Sequence, residues 1–249
     1  MTYSTVISLI EFDPLLYCIA FIVIVLATIM QSAVGMGFGM LAAPVFLLID
    51  PALVPGVILI IGVPLGIWVT WRDRAFVVVS ELKSALIGRL VGSLVAAQLM
   101  ASLLSPESFK VLFSVVILLI VLLSIFRISP VLSLRNLFAA GLVSGITGTV
   151  AGLGGPPMGL IYQHGSGEKV RGTLNAILAF GGVVSLVVLV FYHLITLKSL
   201  VYAVGLLPGL LIGMKMAPLV EHFVNQRFRP VILGVCGLYA IFTLVTAIY

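Results

Sequence analysis

Long apolar runs separated by short polar loops make up almost the whole chain. Six of these runs have the length of an ordinary membrane span, and they cover residues 52–70, 84–104, 108–126, 172–195, 200–218 and 230–248. About 20 apolar residues are enough for an α-helix to cross the hydrocarbon core of a bilayer. The pattern therefore predicts an all-α, polytopic membrane protein.

Two further runs are too long for a single span. Residues 15–49 and 136–164 are apolar almost throughout, and at about 1.5 Å per residue a straight helix of either length would overshoot the bilayer. Each carries a glycine and proline cluster near its middle, GMGFG from Gly35 and GLGGPP from Gly152. Glycine and proline interrupt helices. We therefore expect each run to be either one bent crossing or a re-entrant hairpin that returns to its starting side.

Basic residues favour the hairpins. With both runs as single crossings, the basic loop residues divide five against six and show no preference for a side. With both as hairpins, nine share one side, namely Arg72, Arg74, Lys83, Arg127, Arg135, Lys169, Arg171, Arg227 and Arg229, and only Lys110 and Lys198 lie opposite. Because lysine and arginine concentrate in cytoplasmic loops, we expect two hairpins, a multi-pass protein of the cell (inner or plasma) membrane, and both termini outside.

The hairpins also divide the chain into two similar halves. Each half, residues 1–127 and residues 128–249, contains one hairpin followed by three spans. Because three crossings are an odd number, the second half starts on the opposite side of the membrane and is inverted relative to the first. Matching features support a duplication, since Gly35-x-Gly37 corresponds to Gly152-x-Gly154 at a separation of 152 − 35 = 117 residues. Inverted repeats with paired broken helices are typical of secondary transporters, whose substrate sites lie near the membrane midplane.

Composition excludes several other classes of protein. The 249 residues are 62% hydrophobic and 8% charged, with a mean hydropathy of +1.33, whereas soluble domains are about 25% charged. The net charge of +5 comes from scattered residues, so no nucleic-acid partner is expected. His-Glu-x-x-His, Gly-x-Ser-x-Gly and nucleotide-binding Gly-x4-Gly-Lys motifs are missing. We therefore expect a protein that is not an enzyme and has neither cofactor nor metal.

The candidate site is formed by the two glycine clusters and the polar residues near them. A helix N-terminus carries partial positive charge and free N–H groups, so broken helices that point into the membrane favour an anion. Acidic residues are absent from the predicted spans, which argues against a cation carrier. The predicted substrate-binding residues are Gln31, Ser32, Gly35, Gly37, Gly39, Arg89, Thr149, Gly152, Gly154, Gly155, Pro156 and Asn175.

Some of these residues have a second interpretation. Arg89, about six residues or roughly 9 Å into its predicted span, either faces a substrate cavity or extends to the cytoplasmic surface. Asn175 either contacts substrate or hydrogen-bonds a neighbouring helix. The Gly-x3-Gly pairs Gly88/Gly92 and Gly209/Gly213 indicate close helix packing rather than a site.

Three sequence motifs carry a family resemblance. GLVSGITGTVAGLGGPPMGLIY from Gly141, QSAVGMGFGMLAAPVF from Gln31 and RGT from Arg171 together resemble the sulfite exporter TauE/SafE family of membrane transporters. The first glycine cluster departs from the family pattern, which more often has consecutive glycines where this chain has Gly37-Phe38-Gly39. The resemblance implies export of small sulfur-containing anions such as sulfite or sulfonates.

The sequence thus predicts a secondary transporter that exports a small anion by alternating access. Each negative charge that leaves an inside-negative cell gains about 2.3 kcal/mol per 100 mV, so export needs no ATP site. An anion channel and an anion importer coupled to protons are the alternatives. The expected partners are the small anionic substrate and the lipid bilayer, and a homo-oligomer is compatible with the sequence.

Overall fold

The computed structural model describes residues 13–102, 130–163 and 167–219, together with Val111, Leu112, Val115, Val116 and Leu118. These residues are helical apart from short turns and connections. In chain order the helices are α1 (Pro14–Val34), α2 (Phe38–Ile49), α3 (Gly56–Arg72), α4 (Val79–Ser102), α5 (Leu134–Ala151), α6 (Gly155–Tyr162), α7 (Gly167–Phe191) and α8 (Leu197–Leu219). Short 3-10 turns, Pro51–Leu53 and Arg74–Phe76, flank α3.

Five helices in the described ranges are long and apolar enough to cross a membrane. They are α1, α3 with its preceding turn, α4, α7 and α8, which confirms an all-helical membrane protein. The predicted spans 108–126 and 230–248 lie outside the continuously described ranges. The predicted starts of two spans are wrong, because α4 begins at Val79 rather than at residue 84 and α7 begins at Gly167 rather than at residue 172. Arg89 therefore lies about 15 Å along its helix, close to the middle of a hydrocarbon core about 30 Å thick.

The long helices run in two opposite directions. Hydrogen bonds join Ser199 to the carbonyl of Ala52 at the start of α3, and Tyr192 to Gln98 near the end of α4. At the opposite end of the molecule, the Val78 N–H donates to Thr173 near the start of α7. We call these two ends the Lys198 end and the Glu81 end. Helices α1, α3 and α8 run from the Lys198 end towards the Glu81 end, and α4, α5 and α7 run the other way.

The first long apolar run is broken, as predicted. Helix α1 ends at Val34 because Gly35 adopts a left-handed conformation with φ of +92°, and α2 begins at Phe38. The two helices pack against each other. Asp13 and Asp50, which flank the pair, line one groove together with Lys198. The pair therefore starts and finishes at the Lys198 end of the molecule.

The second long run is broken at Gly152, whose φ of +72° ends α5. Its N–H donates to Gly148 and the Leu153 N–H donates to Thr147, which closes the last turn. Both ends of this helix pair contact the beginning of α4. Ser84 donates to the Leu134 carbonyl at 2.5 Å, and the Tyr162 hydroxyl donates to Glu81 at 2.8 Å. The second pair therefore starts and finishes at the Glu81 end.

Small residues bring the helices into close contact, as the Gly-x3-Gly pairs predict. A Cβ atom on Gly88 would come within 2.9 Å of the Leu142 nitrogen, so α4 and α5 touch backbone to backbone. A Cβ on Gly213 would lie 2.6 Å from the Thr28 Cβ, which places α8 equally close to α1. Close backbone approach of this kind is how membrane helices associate without a hydrophobic driving force.

Candidate functional site

The two helix breaks lie against each other in the interior of the molecule. A Cβ on Gly39, in the first turn of α2, would overlap the carbonyl oxygen of Gly152 in the second break. A Cβ on Gly155 would come within 3.0 Å of the Met36 Cβ in the first break. The glycines therefore allow a backbone contact that larger residues would prevent. The sequence predicted both breaks, and the structure brings them together.

A cavity of about 50 Å³ lies where the breaks meet. About 10–15 Å³ on this measure accommodates one water molecule, so the cavity has room for roughly four non-hydrogen atoms. Eight of the twelve predicted site residues line it, namely Gln31, Gly37, Gly39, Arg89, Gly152, Gly154, Gly155 and Pro156. Apolar side chains and further glycines from α3, α5 and α7 complete the wall. The cavity is the size of a small oxyanion.

Two helices begin at this cavity. Helix α2 starts after Gly37, and its first intrahelical hydrogen bond is donated by the Leu41 N–H at 3.1 Å, so the N–H groups of Phe38 and Gly39 precede it. Helix α6 starts after Gly154, and its first free N–H group is that of Gly155, because Pro156 and Pro157 carry none. Neither helix has a side chain that caps its N-terminus. Helix N-termini favour negative charge. The backbone therefore presents two partly positive helix N-termini to the cavity.

Arg89 supplies the formal charge of the site. Its side chain is 2% exposed, and Nη1 donates to the Ser144 hydroxyl at 3.0 Å. Ser144 in turn donates to the carbonyl of Gly154 in the second break. In the described part of the chain, Nε has no hydrogen-bond partner and no carboxylate lies within salt-bridge distance of the guanidinium. The alternative in which Arg89 extends to the membrane surface is therefore wrong.

Comparison with known proteins identifies the family of the chain. Residues 20–243 match the family model for the sulfite exporter TauE/SafE. The chain belongs to the TauE/SafE family. This is a family of membrane transporters, which agrees with the apolar helices of the fold. Searches of curated proteins and of solved structures found no match.

Four predicted site residues of this TauE/SafE protein do not line the cavity: Ser32, Gly35, Thr149 and Asn175. Both ends of the Asn175 side-chain amide form hydrogen bonds in the described structure. Its Nδ2 donates to the carbonyls of Gly35 and Arg171 at 3.1 and 2.9 Å, and its Oδ1 accepts from Gln31 at 3.1 Å. Asn175 therefore orients Gln31, which does line the cavity, and fixes the end of α1.

The Gln31 and Asn175 amides connect the cavity to a buried ion cluster at the Glu81 end. Arg171 donates to Asp73 through Nε, and both side chains are less than a tenth exposed. Arg72 also donates to Asp73, at 3.0 Å, and to the Ser32 carbonyl at the end of α1, at 2.8 Å. The basic-residue pattern indicated topology through Arg72 and Arg171, and Arg171 also begins the RGT motif, but neither signal predicted the ion cluster, because Arg171 and Asp73 lie 98 positions apart.

Asp73 lies just beyond α3, and its environment acts on its charge in two ways. Burial by itself would raise the pKa of this carboxyl group. Hydrogen bonds from Arg171 and Arg72 and the positive charges of both guanidinium groups outweigh burial and lower the pKa below its ordinary value of 3.8. Asp73 is therefore ionised at neutral pH, and it holds together the ends of α1, α3 and α7.

Replacing Asp73 with asparagine should destabilise the TauE/SafE protein near neutral pH. The change leaves two arginines without their carboxylate, and breaking a buried ion pair typically costs about 3 kcal/mol. Because the folded-state pKa is depressed, the contribution of Asp73 is complete above pH 3.8 and is lost as pH falls below it towards the folded value. Thermal unfolding of both proteins in detergent should show a Tm gap that narrows in acid.

Asp50→Asn provides the matched control for this prediction. Asp50 pairs with Lys198 at 2.5 Å, but both side chains are about a quarter exposed. Solvent screens such a pair, so its loss should lower the Tm much less than the loss of Asp73. Equal Tm losses for the two variants would show that the Asp73 cluster is not the stronger junction.

Proposed function

We propose that the protein is a secondary transporter that exports a small oxyanion, such as sulfite or a sulfonate, and binds it in the cavity between the two helix breaks. The observation that carries the proposal is the buried charge of Arg89, which borders the cavity without a carboxylate partner in the described structure. A buried charge is costly unless it is compensated. An anion in the cavity supplies that compensation.

The chemistry of the wall matches an oxyanion better than other ligands. A guanidinium and backbone N–H groups are donors, and an oxyanion offers several acceptor oxygens. Among the described residues, the cavity wall contains no carboxylate that would compensate a cation. The cavity, with a volume of about 50 Å³, admits sulfite without a change of shape, whereas a larger sulfonate requires the cavity to widen.

Alternating access in this proposal depends on re-entrant hairpins and an inverted repeat. The pairs α1/α2 and α5/α6 are the two hairpins, opening at the Lys198 end and the Glu81 end respectively. Among the helices that the structure describes, α1, α3 and α8 run in one direction and α4, α5 and α7 in the other, which supports a division into residues 1–127 and 128–249 with opposite orientations. Movement of one half against the other would open the cavity first to one side and then to the other.

Basic residues support one orientation of the molecule. Arg72, Arg74, Lys83, Arg135, Lys169 and Arg171 adjoin the helix ends at the Glu81 end, whereas Lys198 lies at the other. The positive-inside tendency makes the Glu81 end cytoplasmic in the cell membrane. Anions then leave through the Lys198 end, and an inside-negative membrane potential drives them by about 2.3 kcal/mol per charge for every 100 mV.

The proposal is tested by binding and transport with the purified protein. Sulfite, sulfate, short sulfonates and carboxylates are compared by thermal shift in detergent, and a bound anion should raise the Tm with its concentration. Proteoliposomes preloaded with the stabilising anion should then accumulate labelled anion by counterflow. Absence of stabilisation by every anion would contradict the proposal, and linear, non-saturating flux without counterflow would favour a channel.

A further inference from the structure

A cluster of three hydroxyl groups lies inside the helix bundle, separate from the residues that line the cavity. Ser93 on α4, Thr149 on α5 and Ser185 on α7 are fully buried. The Ser185 Oγ lies 2.8 Å from the Thr149 Oγ1 and 3.2 Å from the Ser93 Oγ. Three different helices therefore direct hydroxyl groups to one point.

The cluster lies one helical turn beyond the arginine site. Ser93 follows Arg89 by four residues on α4. Ser185 follows Gly181 by four residues on α7, and a Cβ added at Gly181 would overlap the Arg89 guanidinium. Four residues correspond to a rise of about 6 Å. Both helices run towards the Lys198 end, so the hydroxyl cluster lies between the cavity and that end.

The hydrogens of the cluster do not all have acceptors within it. Three hydroxyl groups carry three hydrogens, and the two contacts with Ser185 use two of them. No carbonyl or carboxylate acceptor for the third is found in the described structure. By contrast, the Thr70 hydroxyl donates to the Gly66 carbonyl of its own helix at 2.7 Å. The cluster therefore retains a donor for an acceptor ligand.

We propose that Ser93, Thr149 and Ser185 form a second binding station for the transported oxyanion, between the Arg89 cavity and the Lys198 end. This inference rests on the proposed function, because it concerns the path of the same anion. Hydroxyl groups rotate, so the cluster exchanges its internal hydrogen bonds for hydrogen bonds to an entering oxyanion. A neutral station holds an anion more weakly than a guanidinium does. Weak successive sites allow a bound ion to leave.

Variants of Thr149 distinguish the effect of losing the hydroxyl group from the effect of changing the shape of the side chain. Thr149→Val keeps the branched side chain and removes the donor, Thr149→Ser keeps the donor, and Ser185→Ala removes the central hydroxyl. Thr70→Val is the matched control, since it removes a hydroxyl that is bonded within its own helix. The full-length proteins are compared in proteoliposomes by counterflow of sulfur-35-labelled sulfite and sulfate, and in detergent by thermal shift with the same anions.

Thr149→Val and Ser185→Ala should slow counterflow about tenfold, the typical effect of losing a hydrogen bond to a charged group. Thr149→Ser keeps the donor and should transport faster than Thr149→Val, and Thr70→Val should transport at the wild-type rate. Because Arg89 is intact, Thr149→Val and Ser185→Ala should reduce anion stabilisation much less than they reduce counterflow. Wild-type flux in Thr149→Val and Ser185→Ala, or equal loss in Thr149→Val and Thr149→Ser, would overturn the station. If the wild-type protein neither bound nor transported sulfite or sulfate, that result would instead contradict the proposed function for these two anions.

Discussion

Arg89→Gln should weaken anion binding by about a hundredfold or more, the size of effect seen when one partner of a buried charge pair is truncated. Glutamine keeps a polar side chain near the cavity but removes the positive charge that the anion would compensate. Thermal-shift titration should therefore show stabilisation only at much higher anion concentrations, and counterflow should fall with it. Binding and transport should decline together, because the proposal places this charge at the binding site.

Two variants control the Arg89 experiment. Arg89→Lys retains the charge with a different donor geometry and should bind better than Arg89→Gln. Lys215→Gln removes a basic residue from α8 that is exposed rather than buried, and it should bind the anion as wild type does. If Arg89→Gln, still monodisperse and folded, bound the anion with unchanged affinity, Arg89 would be a structural residue and the cavity assignment would be wrong.

Gly39→Ala should reduce transport to less than about a tenth of the wild-type rate, because overpacking of this size distorts the surrounding backbone. The new methyl group would overlap the Gly152 carbonyl and push the two breaks apart. Because the overlapping atom belongs to the backbone, no side-chain rotation relieves it. Counterflow and anion-dependent thermal shift should both decrease, and the Tm without anion should fall as well.

Gly167→Ala is the control for this prediction. A Cβ at Gly167 has no neighbour within 4 Å in the described structure, so the same chemical change should leave transport and Tm unaltered. Wild-type transport by Gly39→Ala would mean that the close contact of the breaks is not required. In that case the cavity between them would lose its role as the substrate site.

Much of this architecture could be predicted from sequence because its signals are local. The excess length of residues 15–49 and 136–164, with glycines at the middle of each, predicted the breaks near Gly35 and Gly152. Gly-x3-Gly spacing predicted the close packing of α4. The start of α4 was harder to predict from the sequence, because Val79–Lys83 is polar enough to resemble a loop. That error placed Arg89 too close to the surface.

The remaining features depend on partners far apart in the chain. Ser144 contacts Arg89 across 55 residues, and Ser93 contacts Ser185 across 92. A serine in an apolar helix looks the same in sequence whether it bonds its own backbone or a distant side chain. Asn175 was recognisable as an unusual amide, but only the fold shows that it holds Gln31 rather than lining the cavity.

The most direct test of the anion site uses selenite, whose selenium atom can be located by anomalous X-ray scattering. Crystals of the full-length protein soaked in selenite should show an anomalous peak beside the Arg89 guanidinium, between Gly39 and Gly154. The same peak should be absent from Arg89→Gln crystals soaked in parallel. Selenite that stabilises the wild-type protein in solution but occupies only a position away from Arg89 would contradict the account.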